Sequence, residues 1–278
     1  MNIEQQDTAA TLLKAGAASV DVRAIGDRAI PFAVVPDDYH AADLEQFLPL
    51  PVRKRGSIIV ADSRSFVIYM NKHKEPDASM IYADIDSEKS RCVLVGVIDD
   101  HSKDNAQWRD HSCTFTPKLA VEWTRWIGKN KSVMSQADFA AWLEDNLPDV
   151  AAVEGMPTGA DILGMALAFE ATYDKRLKSK TNLQSGGIQF EFVDDEAKDT
   201  RTTMKAFERF TIGIPVFDGS TSAYPIEARI KYRVADGAVK FWYELIRPDR
   251  VFKAAVVDEL ECITSGTELT VISGIPNI

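Results

Sequence analysis

The stretch Ile226-Glu-Ala-Arg-Ile-Lys-Tyr-Arg-Val-Ala-Asp236-Gly237-Ala-Val-Lys-Phe-Trp-Tyr-Glu-Leu-Ile246 decides how the rest of the chain is read. On both sides of Asp236-Gly237 the run is rich in β-branched and aromatic residues, a composition that suits a pleated, half-buried surface. The favoured two-residue hairpin needs residues tolerant of positive φ at both central positions, and Asp-Gly supplies them. Residues 226–234 and 239–246 are therefore predicted to pair antiparallel. Two further runs of the same type, 187–193 and 202–215, come before them, so the chain from about residue 181 onward reads as an antiparallel sheet. Pro248-Asp249 then opens a helix with Phe252, Val256, Leu260 and Ile263 at helical spacing, and residues 269–272 read as one closing strand.

Upstream of residue 181 the pattern is mixed. A first helix is predicted over residues 3–18, a strand over 29–35 closed by Pro36, and a short helix over 38–47. Leu48-Pro-Leu-Pro-Val52 cannot continue that helix, because each proline lacks a backbone donor and restricts the residue before it. A turn at Arg53-Lys54-Arg55-Gly56 leads to a strand at 57–61. Ser63 can cap a helix carrying Phe66, Tyr69 and Met70, ended by Pro76, and residues 80–85 and 92–98 flank a polar turn as a hairpin. Thr116-Pro117 reads as the opening of a helix carrying Trp123 and Trp126 that stops near Gly128. Ser135 with Asp138 three residues on is close to a capping box, and a third helix is predicted over 158–173. Trp126 and Trp142 fall where two antiparallel helices would bury a shared seam. The class is α+β: a mixed α/β N-terminal part with a small sheet, central helices, and a C-terminal antiparallel sheet with a terminal helix. The expected division lies within residues 175–181, giving a mixed and helical region over 1–178 and a β region over 179–278.

At 278 residues and 45% apolar content the chain can bury a substantial core without staples. Cys92, Cys113 and Cys262 are odd in number and far apart, so they read as reduced thiols and not as a disulfide framework or a zinc site. The N-terminal residues lack a basic start followed by an apolar run, and no segment approaches eighteen consecutive apolar residues, which speaks against export and membrane insertion. The formal charge is −10, with the acidic excess concentrated before residue 176. Phosphate neutralisation by Lys and Arg supplies most nonspecific affinity for nucleic acid, so the balance argues against direct nucleic-acid binding and is compatible with binding a basic protein surface.

Between Ser135 and Asp174 the chain carries Asp138, Glu144, Asp145, Asp149, Glu154, Asp161, Glu170 and Asp174 with no Lys or Arg, and a basic cluster over 175–180 follows. Asp138, Glu144, Asp145, Asp149 and Glu154 are the expected partner-binding residues, riding the wet side of amphipathic helices. The bland alternative is an ordinary solvated face. Asp99-Asp100-His101, with His111 further along the same loop, is the one grouping that could hold a divalent ion or do acid–base chemistry, although its spacing matches no established motif. Arg53, Lys54 and Arg55 could bind an anion. Glu88 and Lys89 are adjacent, so on a strand they would face opposite ways and cannot form a nuclease-type Glu-x-Lys pair. There is no phosphate loop, no nucleophile elbow and no cofactor fingerprint, so no cofactor is expected.

Several segments together resemble a family of tailed-phage and prophage early-region proteins that includes the YfdQ prophage protein. They are Leu50-Pro51-x-Arg53 with Gly56; Asp62 with Ser65-Phe66 and Tyr69; Asp99-Asp100-His101; and Glu122-Trp123-x-x-Trp126. Ser135-Gln136-x-x-Phe139-Ala140-x-Trp142-Leu143-Glu144 is the most specific, and Ile214-Pro215-Val216-Phe217 and Tyr232-Arg233 complete the set. The resemblance implies a phage origin and expression in the bacterial host cytoplasm, and it implies no reaction. The expected function is a non-enzymatic early protein acting through protein–protein contacts, in phage DNA metabolism or in blocking a host defence factor. Its partner would be a host or phage protein, with DNA-binding proteins among the candidates, and the protein itself is expected to be a homo-oligomer. A metal-dependent hydrolase or nuclease centred on the 99–111 loop, and a nucleotide or small-molecule binder using Arg53, Lys54 and Arg55, are the alternatives.

Overall fold

In the computed structural model the described residues are 22–23, 32–33, 48–168, 176–180, 187–193, 202–235 and 238–278. The predicted helices at 3–18 and 38–47 lie outside them. Residues 1–54 form one compact unit and 55–278 another. In the first, β1 (Val22–Arg23) pairs antiparallel with β2 (Phe32–Ala33).

The second unit is α+β. Its five-stranded mixed sheet is built from β3 (Gly56–Val60), β4 (Met80–Asp86), β5 (Arg91–Val97), β6 (His111–Phe115) and β14 (Val271–Ser273), in the order β14-β4-β5-β6-β3. The β4/β5 hairpin is the one its sequence predicts, with Asp86 opposite Arg91. Both outer strands add in parallel: β3 to β6, and β14 to β4. Helix α1 (Ser63–His73) buries Phe66 and Met70 on this sheet. Its N-cap is Asp62 and not Ser63, because the Asp62 carboxylate accepts both the Ser65 backbone N–H at 2.7 Å and the Ser65 hydroxyl at 2.8 Å.

The four-stranded antiparallel sheet runs β11 (Arg209–Ile214), β12 (Tyr224–Ala235), β13 (Ala238–Leu245), β7 (Met134–Ser135). Ala235 pairs with Ala238, the register of a two-residue hairpin. Its inner face, including Phe210, Ile226, Ile230, Phe241 and Tyr243, is buried against α2 (Val121–Lys129) and α3 (Gln136–Asp145). Phe139 stacks on Phe241 at 5.1 Å. Trp126 meets Trp142, Tyr243 and Phe210 edge-on or tilted at 5.7, 5.0 and 6.1 Å, the arrangement aromatic quadrupoles prefer. Trp123 and Trp126 are thus core residues, and the Trp126–Trp142 seam is real. A 3-10 turn at Leu147–Asp149 and α4 (Gly159–Ala168) follow α3, with β8 (Arg176–Lys180), β9 (Gly187–Val193) and β10 (Thr202–Phe207) forming a third, antiparallel sheet. Residues 169–173 of the predicted third helix lie outside the described residues.

Beyond the α1 cap, three expectations need correction. The run 202–215 is not one strand: it breaks at Glu208 into β10 and β11, which belong to different sheets. Helix α2 starts at Val121 and not at Thr116-Pro117, because residues 118–120 are held extended by Asp218 N–H donating to Lys118 O at 2.8 Å and Ala120 N–H donating to Val216 O at 2.9 Å. The closing strand is Val271–Ser273. It is delivered by α5 (Pro248–Thr267), whose last carbonyls are satisfied by α1: Asn71 Nδ2 donates to Gly266 O at 2.7 Å and Lys74 Nζ to Thr267 O at 2.6 Å. β14 from the chain's far end thus enters the sheet of its first part, and β7 enters the sheet of its last.

Candidate functional site

The connection between β5 and β6 carries the residues with most chemical potential. Asp99 closes it: its carboxylate accepts the backbone N–H of Asp110 at 3.1 Å and of His111 at 2.9 Å. Arg109 N–H donates to Asp99 O at 3.2 Å, and Arg109 itself takes a left-handed conformation, φ 57°. That turn brings its guanidinium back over Tyr82, 5.9 Å from the ring centroid, and sets Nε 3.0 Å from the Asp100 carboxylate. Asp100 is 5% exposed and also accepts the Tyr82 hydroxyl at 2.5 Å and the His101 N–H at 2.7 Å. Burial first, then the Asp100 carboxylate, raises the Tyr82 phenol above its ordinary value. Arg109, Asp100 and Tyr82 form a largely buried ion-pair group, in which Arg109 Nη2 also donates to the Tyr82 hydroxyl at 3.2 Å while its Nε faces the carboxylate without hydrogen-bond geometry.

The histidines are employed separately. His101 is exposed, and its Nδ1 accepts the Gln107 N–H at 3.0 Å. His111 is buried on the opposite side of the loop, its Nε2 3.0 Å from the Tyr69 hydroxyl and its ring edge-on to His73 at 5.2 Å. Asp99, Asp100, His101 and His111 are therefore neighbours in sequence that do not converge on a point. Among the described residues no group of three His, Cys, Asp or Glu side chains could hold a metal ion. Cys92 and Cys113 are buried, and burial pushes both thiols up to about 11, away from nucleophilic thiolate character. Cys262 is exposed.

The acidic stretch splits by role. Asp138 completes the cap of α3, accepting the Ser135 hydroxyl at 2.6 Å while its N–H donates to Ser135 Oγ at 3.1 Å. Asp149 accepts the Trp126 indole N–H at 2.7 Å, and Asp161 accepts the Thr158 hydroxyl at 2.6 Å. Glu144, Asp145 and Glu154 are exposed and bond to no described residue. Of the basic residues, Lys54 and Arg55 are exposed, Arg53 is partly covered, and Arg53 and Lys54 belong to the first unit while Arg55 opens the second.

Sequence reasoning missed a different surface. On the outer face of the four-stranded sheet the cross-strand register sets Arg229 between Arg209 and Glu244, Lys231 against Trp242, and Arg233 against Lys240. Arg209, Arg229, Lys231 and Arg233 are exposed. The signal was present as Arg229-x-Lys231-x-Arg233, a period-two repeat of cations alternating with Ala228, Ile230, Tyr232 and Val234.

Over residues 4–276 the chain matches the family described as "Uncharacterized conserved protein (DUF2303)", and it belongs to that family. No curated protein and no solved structure matches it. Among the described residues no helix is long and apolar enough to cross a membrane.

Proposed function

We propose that this member of the family is a phage-derived early protein that acts in the host cytoplasm by binding, not by catalysis, in phage DNA metabolism or in blocking a host factor. The tailed-phage and prophage assignment rests on the segment resemblance. The observation that supports binding is a contrast within the second unit: the carboxylates of Asp99 and Asp100 and the imidazoles of His101 and His111 are tied into the fold, whereas Glu144, Asp145 and Glu154 stand in solvent without a described partner. A basic protein surface is the complementary partner. Charged complementarity of this kind sets association rate and weakens as salt rises.

The test is the triple variant Glu144→Lys, Asp145→Lys, Glu154→Lys, used with the wild type to capture partners from host lysate. Asp138 and Asp149 are left alone because they hold the cap of α3 and the Trp126 indole. Exposed substitutions shift stability by about 0.5 kcal/mol each, so the variant stays folded. Basic partners captured by the wild type at low salt should be lost from the variant. Identical capture by both proteins would mean that this face is only solvated surface.

A further inference from the structure

The outer face of the four-stranded sheet carries charge opposite to that of the whole molecule. Arg209, Arg229, Lys231, Arg233 and Lys240 share it with the carboxylates Glu227 and Glu244, on a chain whose net charge is −10. Arg209 is paired with Glu227 at 2.7 Å, and Glu244 accepts the Trp242 indole N–H at 3.3 Å. Arg229, Lys231, Arg233 and Lys240 pair with no described residue. Two cross-strand pairs, Arg209 with Arg229 and Arg233 with Lys240, set like charges directly opposite. Such pairs oppose folding, so the arrangement is not one that sheet stability alone would favour.

Geometry adds direction. Successive same-face residues on a strand lie about 6.7 Å apart, so Arg229, Lys231 and Arg233 form a straight row of cations about 13 Å long. Trp242, partly exposed, lies beside the middle of that row opposite Lys231. At the start of β11, where the chain turns into the sheet at Glu208, a depression of about 480 Å³ is lined by Arg209, Arg229 and Lys231 together with Glu208, Phe207, Ile230 and Tyr232, the last turned inward against Phe241. Cations for a backbone and a ring beside them, that of Trp242, are the two components of a single-strand binding surface, since every base has a face that can stack. Paired bases in a duplex would offer phosphates to the cations and nothing to the aromatic side chains.

We infer that the outer face of the β11-β12-β13 sheet, with Arg229, Lys231 and Arg233 for phosphates and Trp242 for base stacking, binds single-stranded nucleic acid. The surface is separate from Glu144, Asp145 and Glu154, and the inference stands or falls independently of the protein-contact reading. The acidity of the chain as a whole argues against nonspecific binding elsewhere and confines the polyanion to this face. Repulsion from the remaining surface makes the interaction salt-sensitive and its site narrow.

The experiment is fluorescence anisotropy of a labelled oligothymidylate titrated with the full chain. With four phosphates neutralised, the single-strand slope of about −0.7 per phosphate gives roughly a 50-fold loss of affinity between 50 and 200 mM salt. The triple variant Arg229→Ala, Lys231→Ala, Arg233→Ala should lower the magnitude of that slope by about 2. Lys231→Glu, a single exposed change, should weaken binding without moving the unfolding midpoint. Trp242→Ala should weaken it by about tenfold while Trp242→Phe retains most of it. Absence of binding at low salt, or equal affinity of wild type and triple variant, would overturn the inference. Equal affinity for the matching duplex, with no effect of Trp242→Ala, would overturn the single-strand assignment. Displacement of the oligonucleotide by polyglutamate at equal charge concentration would instead make the occupant an acidic protein.

Discussion

Replacing Asp100 by alanine should destabilise the second unit sharply, and the size of the effect follows from its surroundings. The carboxylate is 5% exposed and is shared by Arg109 Nε at 3.0 Å, the Tyr82 hydroxyl at 2.5 Å and the His101 N–H at 2.7 Å. Its removal leaves a guanidinium with a side-chain exposure of 21% and no counter-charge, and a phenol that has lost its acceptor. Breaking a buried ion pair from one side costs about 3–5 kcal/mol, and the partial exposure of Arg109 puts this case at the lower end, about 3 kcal/mol. Asp100→Asn keeps an acceptor for Tyr82 and loses only the charge, so about half that loss is expected, near the 1.5 kcal/mol of one charged hydrogen bond. In a unit of this size 3 kcal/mol lowers the melting temperature by about 6–12 °C. Urea unfolding followed by tryptophan fluorescence measures it directly, with an unchanged slope showing that the compactness of the two states is the same. A melting temperature within a degree of wild type, together with loss of biological function, would refute the reasoning. It would return Asp100 to the list of catalytic candidates.

Two further outcomes follow from the same structure. Burial holds the Cys92 and Cys113 thiols at about 11 in the folded chain against an ordinary value of 9.0, so the unfolded chain releases these protons first. Their contribution is complete below pH 9 and lost as pH rises towards 11, which the unfolding free energy at pH 8 and pH 10.5 reads out. A Cys92→Ala, Cys113→Ala variant should lose much of that pH dependence, and an unchanged profile would assign it to other groups. Homo-oligomerisation is the second: β3 is a terminal strand of its sheet among the described residues, with Ile59 81% exposed, and pairing with a second copy would cover it. Light scattering should show a dimer, and Ile59→Lys should shift it to monomer. A monomeric wild type at micromolar concentration would rule this out.

What could be read from the sequence was local. The β12/β13 register, the β4/β5 hairpin and the Ser135 cap of α3 each depend on residues a few positions apart, whose turn chemistry and side-chain period act before the rest of the chain is placed. Apart from the α1 cap, which is Asp62 and not its neighbour Ser63, the failures were contests between local preference and a distant partner. Thr116-Pro117 is a sound helix opening, but residues 118–120 are claimed by residues 216–218. The run 202–215 has uniform strand character, and only the two sheets it serves decide that it breaks at Glu208. The candidate site was lost in the same way: residues 99–111 offer acids and imidazoles in sequence, and loop closure through Asp99 sends Asp100 to Tyr82 and His111 to Tyr69, on different sides. By itself the sequence determined class, hairpins, the Ser135 cap and overall charge, because these are set by composition and short-range geometry. Only the tertiary structure decided that β14 and β3 add in parallel, that Asp138 and Asp149 are structural, and that cations from β11, β12 and β13 meet on one face. Cross-strand register sets Arg209 opposite Arg229, 20 positions on, and Val271 opposite Ile81, 190 positions away, and no local preference encodes which residues will be opposite.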